Sequence, residues 1–155
     1  MKQGPLDLSQ HFLEEGVVDL SSSEKQSALE ELCAITSKHA HVRDAKAFCK
    51  AIFEREKLVS TGIGLGVAIP HVKIPSVTDY VITVGRSEAG IDFDAIDGQP
   101  VRLVFMIAAS EKQTAEFVRV LASIVKLVKQ NDVRSRLLEA SMPNEFCSIL
   151  REASR

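Results

Sequence analysis

One stretch of the chain, Ser60-Thr61-Gly62-Ile63-Gly64-Leu65-Gly66-Val67-Ala68-Ile69-Pro70-His71, alternates bulky apolar residues with glycine or alanine before it reaches a proline and a histidine. Alternation with a period of two predicts a β-strand that has one bulky face and one bare face. Interior glycines weaken a strand, so we expect another backbone or a ligand to approach them closely. Pro70 fixes φ and lacks an N–H, so the strand should end there and present His71 at its exit.

The length and composition of the chain are those of an ordinary globular domain. Its 155 residues are 45% hydrophobic and 26% charged, which predicts a single domain over residues 1–155 with a loose terminus at residues 1–5. The net charge of −2 indicates no surface for nucleic acid. No apolar run reaches the roughly 20 residues of a membrane helix, and no signal peptide opens the chain. The three scattered cysteines are interpreted as reduced thiols of a cytoplasmic protein.

Strand-like and helix-like patterns alternate along the sequence. Leu6 to Glu15 has the pattern of a short helix, and Val17 to Leu20 that of a short extended segment. Strands are predicted over Tyr80 to Gly85 and over Val101 to Ala109, and the second should be a buried central strand because it is nearly all apolar. Helix starts are predicted at Ser23, Asp44, Ser110, Asn131 or Asp132, and Ser141. Strands interleaved with helices indicate an α/β layered domain, and spacing alone leaves the strand order open.

The stretch that ends at His71 also resembles a known signature. It is similar to the phosphorylation-site sequence of the IIA components of the bacterial phosphotransferase system, in the fructose, mannitol and nitrogen-regulatory branch, whose pattern is S-T-G-I-G-x-G-[IV]-A-[IV]-P-H. Arg55-Glu56 matches an R-E pair upstream of the signature, and Asp97-Gly98-Gln99-Pro100-Val101 resembles a second landmark downstream. The resemblance runs from Leu8 to Leu150 and is greatest to the nitrogen-regulatory (PtsN) members.

This resemblance implies both a fold and an activity. The fold would be a single layered α/β domain, in which a mixed β-sheet has helices on both faces. His71 would accept a phosphoryl group from an HPr-like phosphocarrier protein and pass it to a IIB domain, or a regulated transporter or sensor kinase would respond to its phosphorylation. The protein would be a phosphotransferase that carries a phosphohistidine. It would need no cofactor and no metal, because the donor is already a phosphorylated protein.

The residue types around His71 suit such a transfer. Neutral imidazole is a nucleophile at physiological pH, since its ordinary pKa is about 6.5, and the second ring nitrogen is best held as N–H by an acceptor. The oxygens of the transferred group need donors aimed at them. Arg55 is a candidate because a guanidinium matches phosphate oxygens in a fork, and Ser60, Thr61 and Gly62 could add further donors. The alternative for Arg55 is a cation favoured by the C-terminal end of a helix.

Other interpretations of these residues have less support in the sequence. A lone histidine is often structural, but the spaced glycines, the proline and the signature favour a reactive His71. The glycine run is not a dinucleotide-binding fingerprint, since Val67 stands where a third glycine is needed, and it lacks the G-K-[ST] of a P-loop. Cys33, His39 and His41 are conceivable metal ligands, but no second pair at zinc spacing accompanies them.

Three positions depart from the pattern of the family. Many members have a second histidine near the start of the long helix, where this chain has Phe117, so one polar partner of the phosphoryl group would be missing. Leu65 replaces a frequent asparagine between two glycines, and Val72 replaces a frequent glycine after the reactive histidine. The alternative for Phe117 is ordinary packing in the core.

Three functions therefore stay open. The first is a regulatory phosphoryl carrier of the nitrogen-regulatory type, which the free-standing length without a fused IIB or IIC domain favours. The second is a sugar-transport IIA component of the fructose or mannitol class, which passes phosphate to a IIB domain. The third is a regulatory module that only binds, because the missing second histidine impairs transfer.

Overall fold

The computed structural model describes residues 6–155, and the expected loose terminus at residues 1–5 lies outside them. In the described part, one strand is followed by two α-helices, five successive strands and three further α-helices. The strands are β1 Val17–Asp19, β2 Gly62–Gly64, β3 Val67–Ala68, β4 His71–Ile74, β5 Val81–Ile91 and β6 Val101–Ser110. The α-helices are α1 Lys25–Thr36, α2 Ala45–Leu58, α3 Thr114–Val128, α4 Asn131–Glu139 and α5 Asn144–Ala153. Short 3₁₀ turns occur at Ser9–His11, Glu14–Gly16 and Glu111–Gln113.

The strands form one mixed sheet around β6. Its order is β1-β5-β6-β3-β2, and β4 pairs with β6 on the same edge as β3 but further along. β5 is antiparallel to β6, whereas β3 and β4 are parallel to it and β1 is parallel to β5. All residues of β6 except Arg102 are buried, which confirms the predicted central strand.

Helices cover both faces of this sheet, as predicted. On one face, α3, α4 and α5 form a core with the buried residues Leu8 and Phe12 of the N-terminal segment. On the other face, α1 and α2 pack against the opposite side chains of β5 and β6, including Val104 and Met106. The domain is therefore an α/β layered structure, because neighbouring residues of a strand point to opposite faces and β6 is apolar on both.

The glycine-containing stretch is a hairpin and not the single strand that its alternation predicts. β2 and β3 pair antiparallel, and the chain reverses at Gly64-Leu65-Gly66, where φ is +92°, +61° and +74°. Three successive positive φ values are incompatible with an extended strand. The predicted common apolar face is also absent within this segment, because Ile63 and Leu65 are 39% and 48% exposed whereas Val67 is fully buried.

The close approach expected at the glycines occurs at Gly62. A Cβ at this position would lie 2.8 Å from the Cβ of Ala95. The backbone N–H of Ile96 donates to the carbonyl of Gly62 at 3.2 Å. The neighbour is therefore the loop between β5 and β6.

His71 follows the end of β3, as predicted, but it also begins a new strand, whereas the sequence placed it outside any strand. β3 ends at Ala68, and β4 begins at His71, which pairs with Ile107 of β6. Pro70 interrupts the ladder as predicted because it has no N–H. Its carbonyl nevertheless accepts from the N–H of Ile107 at 2.9 Å, which keeps the chain beside β6 through the interruption.

Several of the predicted helix starts are confirmed. The carboxylate of Asp44 accepts from the N–H of Ala47 at 3.0 Å and caps α2. The hydroxyl of Ser110 accepts from the N–H of Lys112 at 3.2 Å, although a 3₁₀ turn precedes α3 there. α4 begins at Asn131, one of its two predicted starts.

Other predicted helix boundaries are wrong. α1 is preceded by Glu24, whose side chain makes no capping bond, so the box predicted from Ser23 does not form. Residues 6–15 form two short 3₁₀ turns in place of a helix. The last helix begins at Asn144 rather than Ser141, and the N–H of Ser141 is satisfied by the side chain of Glu145 at 2.7 Å.

Candidate functional site

The ring of His71 is oriented by the backbone immediately before it. Nδ1 of His71 lies 2.6 Å from the carbonyl oxygen of Ile69. A carbonyl oxygen can only accept a hydrogen bond, so Nδ1 carries the proton and the neutral ring has its lone pair on Nε2. Because Pro70 restricts the conformation of Ile69 to the extended region, the carbonyl is held in place. The predicted acceptor that sets the tautomer is therefore a backbone group.

The surroundings keep this imidazole neutral. Burial of the ring lowers the pKa of His71 below its ordinary value of 6.5, while the hydrogen bond to Ile69 opposes the shift. The positive charges of Arg55 and Lys73 lower the pKa further, and the negative charge of Glu56 raises it. At neutral pH the ring is therefore a nucleophile at Nε2.

His71 lines a surface cleft of about 680 Å³ between α2, β4 and α3. Its lining residues are Ala51, Glu54, Arg55, Leu58, His71, Val72, Lys73, Ile74 and Phe117. The cleft thus brings together four residues that the sequence singled out, namely Arg55, His71, Val72 and Phe117.

Phe117 forms one wall of the site beside His71. The ring centroids of the two residues are 5.4 Å apart with an interplanar angle of 47°, and Phe117 is only 5% exposed. Phe117 is also part of the core beneath α3. The residue at the position of the missing second histidine therefore contacts the ring of His71 from a buried position.

Lys73 is a cation of this cleft that the sequence analysis did not single out. Its Nζ lies 5.6 Å from the centroid of the Phe117 ring. Lys73 follows His71 by two positions in β4, and residues two apart in a strand point to the same face. A strand beginning at His71 would have predicted this placement, but the sequence predicted a strand that ended before it.

Arg55 lies in the last turn of α2 and donates from Nη1 to the carbonyl of Val59 at 3.0 Å. This bond serves the C-terminal end of the helix, as in the alternative interpretation. A guanidinium has five N–H donors, so the bond leaves others for a ligand in the cleft. The two roles predicted for Arg55 are thus compatible in one side chain.

Ser60, Thr61 and Gly62 do not line the cleft of His71. Ser60 Oγ donates to the carbonyl of Phe93, and the N–H of Gly62 donates to Ser60 Oγ at 3.1 Å. Thr61 donates to Glu56 from both its N–H and its hydroxyl. Their predicted role as phosphate donors stays a prediction, and it would require these bonds to break.

Glu56 is a buried carboxylate whose contacts the sequence did not reveal. It is 7% exposed and forms an ion pair of 2.7 Å with Nζ of Lys25. Its oxygens accept from the N–H of Thr61 at 3.1 Å and from the hydroxyl of Thr61 at 2.6 Å. Of the R-E pair, Arg55 thus lines the cleft, whereas Glu56 holds Thr61 at the start of the hairpin.

Neither a metal centre nor a membrane-spanning helix is present in residues 6–155. That part of the chain contains no group of three or more His, Cys, Asp or Glu side chains that could hold a metal ion. His39 and His41 stack with their ring centroids 4.7 Å apart. None of the described helices is long and apolar enough to cross a membrane.

Comparison with known proteins identifies the family. The family model described as phosphoenolpyruvate-dependent sugar phosphotransferase system, EIIA 2, matches residues 11–153. The chain is 37% identical over 135 residues to the PTS system fructose-specific EIIABC component of Bacillus subtilis, and this match covers 87% of the chain but only 21% of that protein. It is 34% identical over 131 residues to a nitrogen regulatory protein of Bradyrhizobium diazoefficiens, which covers 84% of the chain and 85% of that protein.

A solved structure agrees with these sequence matches. The crystal structure of nitrogen regulatory protein IIA-Ntr from Neisseria meningitidis superimposes with a TM-score of 0.85 at 30% identity, covering 92% of this chain and 98% of that one. The resemblance seen in the sequence, including its likeness to the nitrogen-regulatory branch, is therefore confirmed. The chain belongs to the EIIA type-2 family of the phosphoenolpyruvate-dependent sugar phosphotransferase system.

Proposed function

We propose that His71 accepts a phosphoryl group on Nε2 from an HPr-like phosphocarrier protein and gives it up to a second protein. The observation that carries this proposal is the 2.6 Å hydrogen bond from His71 Nδ1 to the Ile69 carbonyl, which leaves the lone pair on Nε2. Burial, which keeps the ring neutral, supports it further. Membership of the family supplies the class of reaction.

The transfer would proceed by in-line displacement. The lone pair of Nε2 attacks phosphorus while the bond from phosphorus to the leaving atom of the donor breaks, and that atom keeps the bonding electron pair. The ring gains positive charge as the new N–P bond forms, and the Ile69 carbonyl stabilises this charge through Nδ1–H. Arg55 and Lys73 place positive charge beside the phosphoryl oxygens. The reverse displacement would deliver the group to the acceptor.

Two exposed apolar residues suggest where the protein partners dock. Leu58 belongs to the lining of the cleft, and Val118 follows Phe117 in α3. Both are largely exposed, at 78% and 61%. An exposed apolar residue such as Leu58 in the cleft of His71 suits contact with another protein, and Val118 adds exposed apolar surface on α3. The proposed partners are an HPr-like carrier as donor and either a IIB domain as acceptor or a regulated transporter or sensor kinase that responds to the phosphorylation of His71. The protein would meet them from the cytoplasm.

We assign the protein to a regulatory role of the nitrogen type. The matches to nitrogen regulatory proteins support this assignment, and so does the apolar wall that Phe117 places beside His71. A wall without a second imidazole suits a phosphorylation switch more than a fast sugar carrier. The runner-up is a sugar-transport IIA component, which the match to the fructose-specific protein favours.

The test is phosphorylation with labelled phosphoenolpyruvate, the first enzyme of the system and an HPr protein. The wild-type chain should take up a label that is lost in acid and stable in base. His71→Ala should take up none, whereas the control His39→Ala should label normally. A label retained by folded His71→Ala would refute the proposal. Transfer of the label to fructose or mannitol IIB domains would instead favour sugar transport, and a wild-type chain that never labels would favour a module that only binds.

A further inference from the structure

The buried carboxylate of Glu56 begins a chain of hydrogen bonds that ends on the reactive ring. Glu56 accepts from Thr61 through both oxygens, at 3.1 and 2.6 Å. The carbonyl of Thr61 accepts from the N–H of Ile69 at 3.0 Å. The carbonyl of Ile69 accepts from Nδ1 of His71 at 2.6 Å. The first link joins α2 to the start of the hairpin, the second joins the two ends of the hairpin, and the third joins Ile69 to His71 two residues later. The chain of bonds therefore connects α2 to the start of β4.

The energetics of Glu56 call for an explanation beyond packing. A carboxylate this deeply buried is unfavourable unless it is paired and hydrogen-bonded. Lys25 supplies the pair at 2.7 Å, with side-chain exposures of 24% for Lys25 and 4% for Glu56. Nζ of Lys25 also donates to the Phe93 carbonyl at 3.4 Å, and the hydroxyl of Ser60 donates to the same carbonyl. The ion pair thus fixes residues 60 and 61, the point where the hairpin starts.

The position of Ile69 explains how this fixation reaches His71. Its N–H is held by Thr61 and its carbonyl faces Nδ1 of His71. Because Pro70 follows, the backbone of Ile69 is confined to the extended region and cannot easily compensate for a displaced N–H. A shift at Thr61 would therefore turn the Ile69 carbonyl away from the imidazole. Without that acceptor, nothing in the chain of bonds distinguishes the two neutral tautomers of the ring.

We propose that Glu56 is a positioning residue, which sets the Nδ1–H tautomer of His71 through Thr61 and Ile69 while Lys25 compensates its charge. The inference rests on the proposed phosphorylation of His71 for its functional meaning. Its structural content is independent of that proposal, because the tautomer of His71 can be measured in the unphosphorylated protein. A purely structural clamp would change the free energy of unfolding and leave the tautomer unaltered.

The experiment measures the tautomer of His71 by ¹⁵N–¹H correlation NMR on the full chain labelled at histidine, together with the single-turnover rate of phosphorylation by phospho-HPr. Wild type should show protonated Nδ1 and unprotonated Nε2. Glu56→Gln can accept only one of the two bonds from Thr61, so the Nε2–H tautomer should become visible. The rate should fall at least about tenfold, since a misplacement near 1 Å can lower a rate about 100-fold.

Variants at Thr61 and on α1 complete the design. Thr61→Val removes the hydroxyl link and should reproduce both changes, whereas Thr61→Ser keeps a hydroxyl and should recover most of the difference. Glu30→Gln, an exposed carboxylate on α1, is the matched control and should leave tautomer and rate as in wild type.

Two outcomes would overturn the inference. The first is a folded Glu56→Gln protein with the wild-type tautomer and rate. The second, decisive if Glu56→Gln does not fold, is a folded Thr61→Val protein with the wild-type tautomer. A wild-type chain that HPr fails to phosphorylate would refute the proposed function alone, because the tautomer measurements would still decide the role of Glu56.

Discussion

At the scale of single residues, the His71 ring has one hydrogen-bonded nitrogen, one aromatic neighbour and two cations nearby. The Nδ1 side faces the Ile69 carbonyl, which fixes the proton. The ring also lies against Phe117, an apolar neighbour with no lone pair or acidic proton to offer. Positive charge reaches the site from Arg55 and Lys73, which line the same cleft. The proposed chemistry at His71 thus rests on one backbone acceptor, two cations and one aromatic neighbour.

Arg55 should contribute through the geometry of its guanidinium as well as its charge. Arg55→Lys keeps the charge but loses the fork, so phosphorylation by phospho-HPr should slow by about tenfold, less than the roughly 100-fold loss of an enclosed oxyanion donor because solvent reaches the site. Quench-flow measurement of a single turnover gives the rate. Lys57→Ala, an exposed basic residue in the same helical turn, is the control. If Arg55→Lys, Arg55→Ala and wild type react at equal rates, Arg55 has no role in transfer and is only a cation at the helix end.

Phe117 should determine how fast the site works. Phe117→His supplies an imidazole next to the phosphoryl group, and we expect a faster transfer in a folded protein because one more polar partner is available. Phe117→Leu, which removes the ring and stays apolar, should not accelerate it. Stopped-flow transfer from phospho-HPr measures both variants. If Phe117→His is no faster than wild type, Phe117 is a packing residue and says nothing about the speed of the reaction.

The sequence predicted part of this site, and the reason is physical. Arg55, His71 and Phe117 were singled out from a signature and from residue chemistry, and the fold places all three in one cleft. Lys73 was not predicted, because the face of the sheet to which its side chain points depends on where β4 begins. Glu56 was noted only as part of the R-E pair. Its contacts were not predicted because Lys25 is distant in the sequence and Thr61 lies beyond the end of α2, so no periodic pattern joins them.

At the scale of elements, the hairpin of β2 and β3 is where sequence patterning fails. An alternating pattern describes one strand and equally describes two short strands joined by a tight turn. Glycines at 64 and 66 supply the positive φ that the turn needs. Leu65, between them, has a φ of +61° that only asparagine, aspartate and glycine adopt readily. The conformations that these turn residues require therefore determine the local structure, and the alternation with a period of two does not.

This strain at Leu65 leads to a prediction about stability. Leu65→Asn should raise the free energy of unfolding by about 1 kcal/mol, because asparagine tolerates the left-handed region and the exposed leucine loses little packing. Ile63→Asn is the matched control, since Ile63 is also exposed but lies in β2 without a positive φ. It should be neutral or destabilising. Chemical denaturation measures both, and a Leu65→Asn protein that is no more stable than wild type would contradict the assignment of strain.

At the scale of the whole molecule, a mixed sheet separates two cores and carries the site at one edge of β6. The sequence correctly predicted the α/β class and the buried central strand. It could not predict that β3 and β4 lie in succession on one edge of β6, because that pairing joins residues 36 positions apart, such as Val67 with Leu103 and His71 with Ile107. Phosphorylation would add roughly −1.5 to −2 charges, by analogy with other phosphorylated side chains. On a chain of net charge −2, the two forms should therefore bind partners differently.

The stability of the domain should decrease on acidification. Burial lowers the pKa of His71 and of His11 below 6.5. Below that pH the unfolded chain binds more protons than the folded one, so the free energy of unfolding falls as the pH falls. Denaturation between about pH 5 and pH 7 should show this slope, and His71→Gln or His11→Gln should make it shallower. An unchanged slope in both variants would contradict the assignment.

The most direct test of the central claim is to locate the phosphoryl group by NMR on the chain labelled with ¹⁵N at histidine and phosphorylated by HPr. The hydrogen bond from His71 Nδ1 to Ile69 predicts that the group is attached to Nε2 of His71, with Nδ1 still protonated. A phosphoryl group on Nδ1 of His71, or on any other residue, would contradict the account.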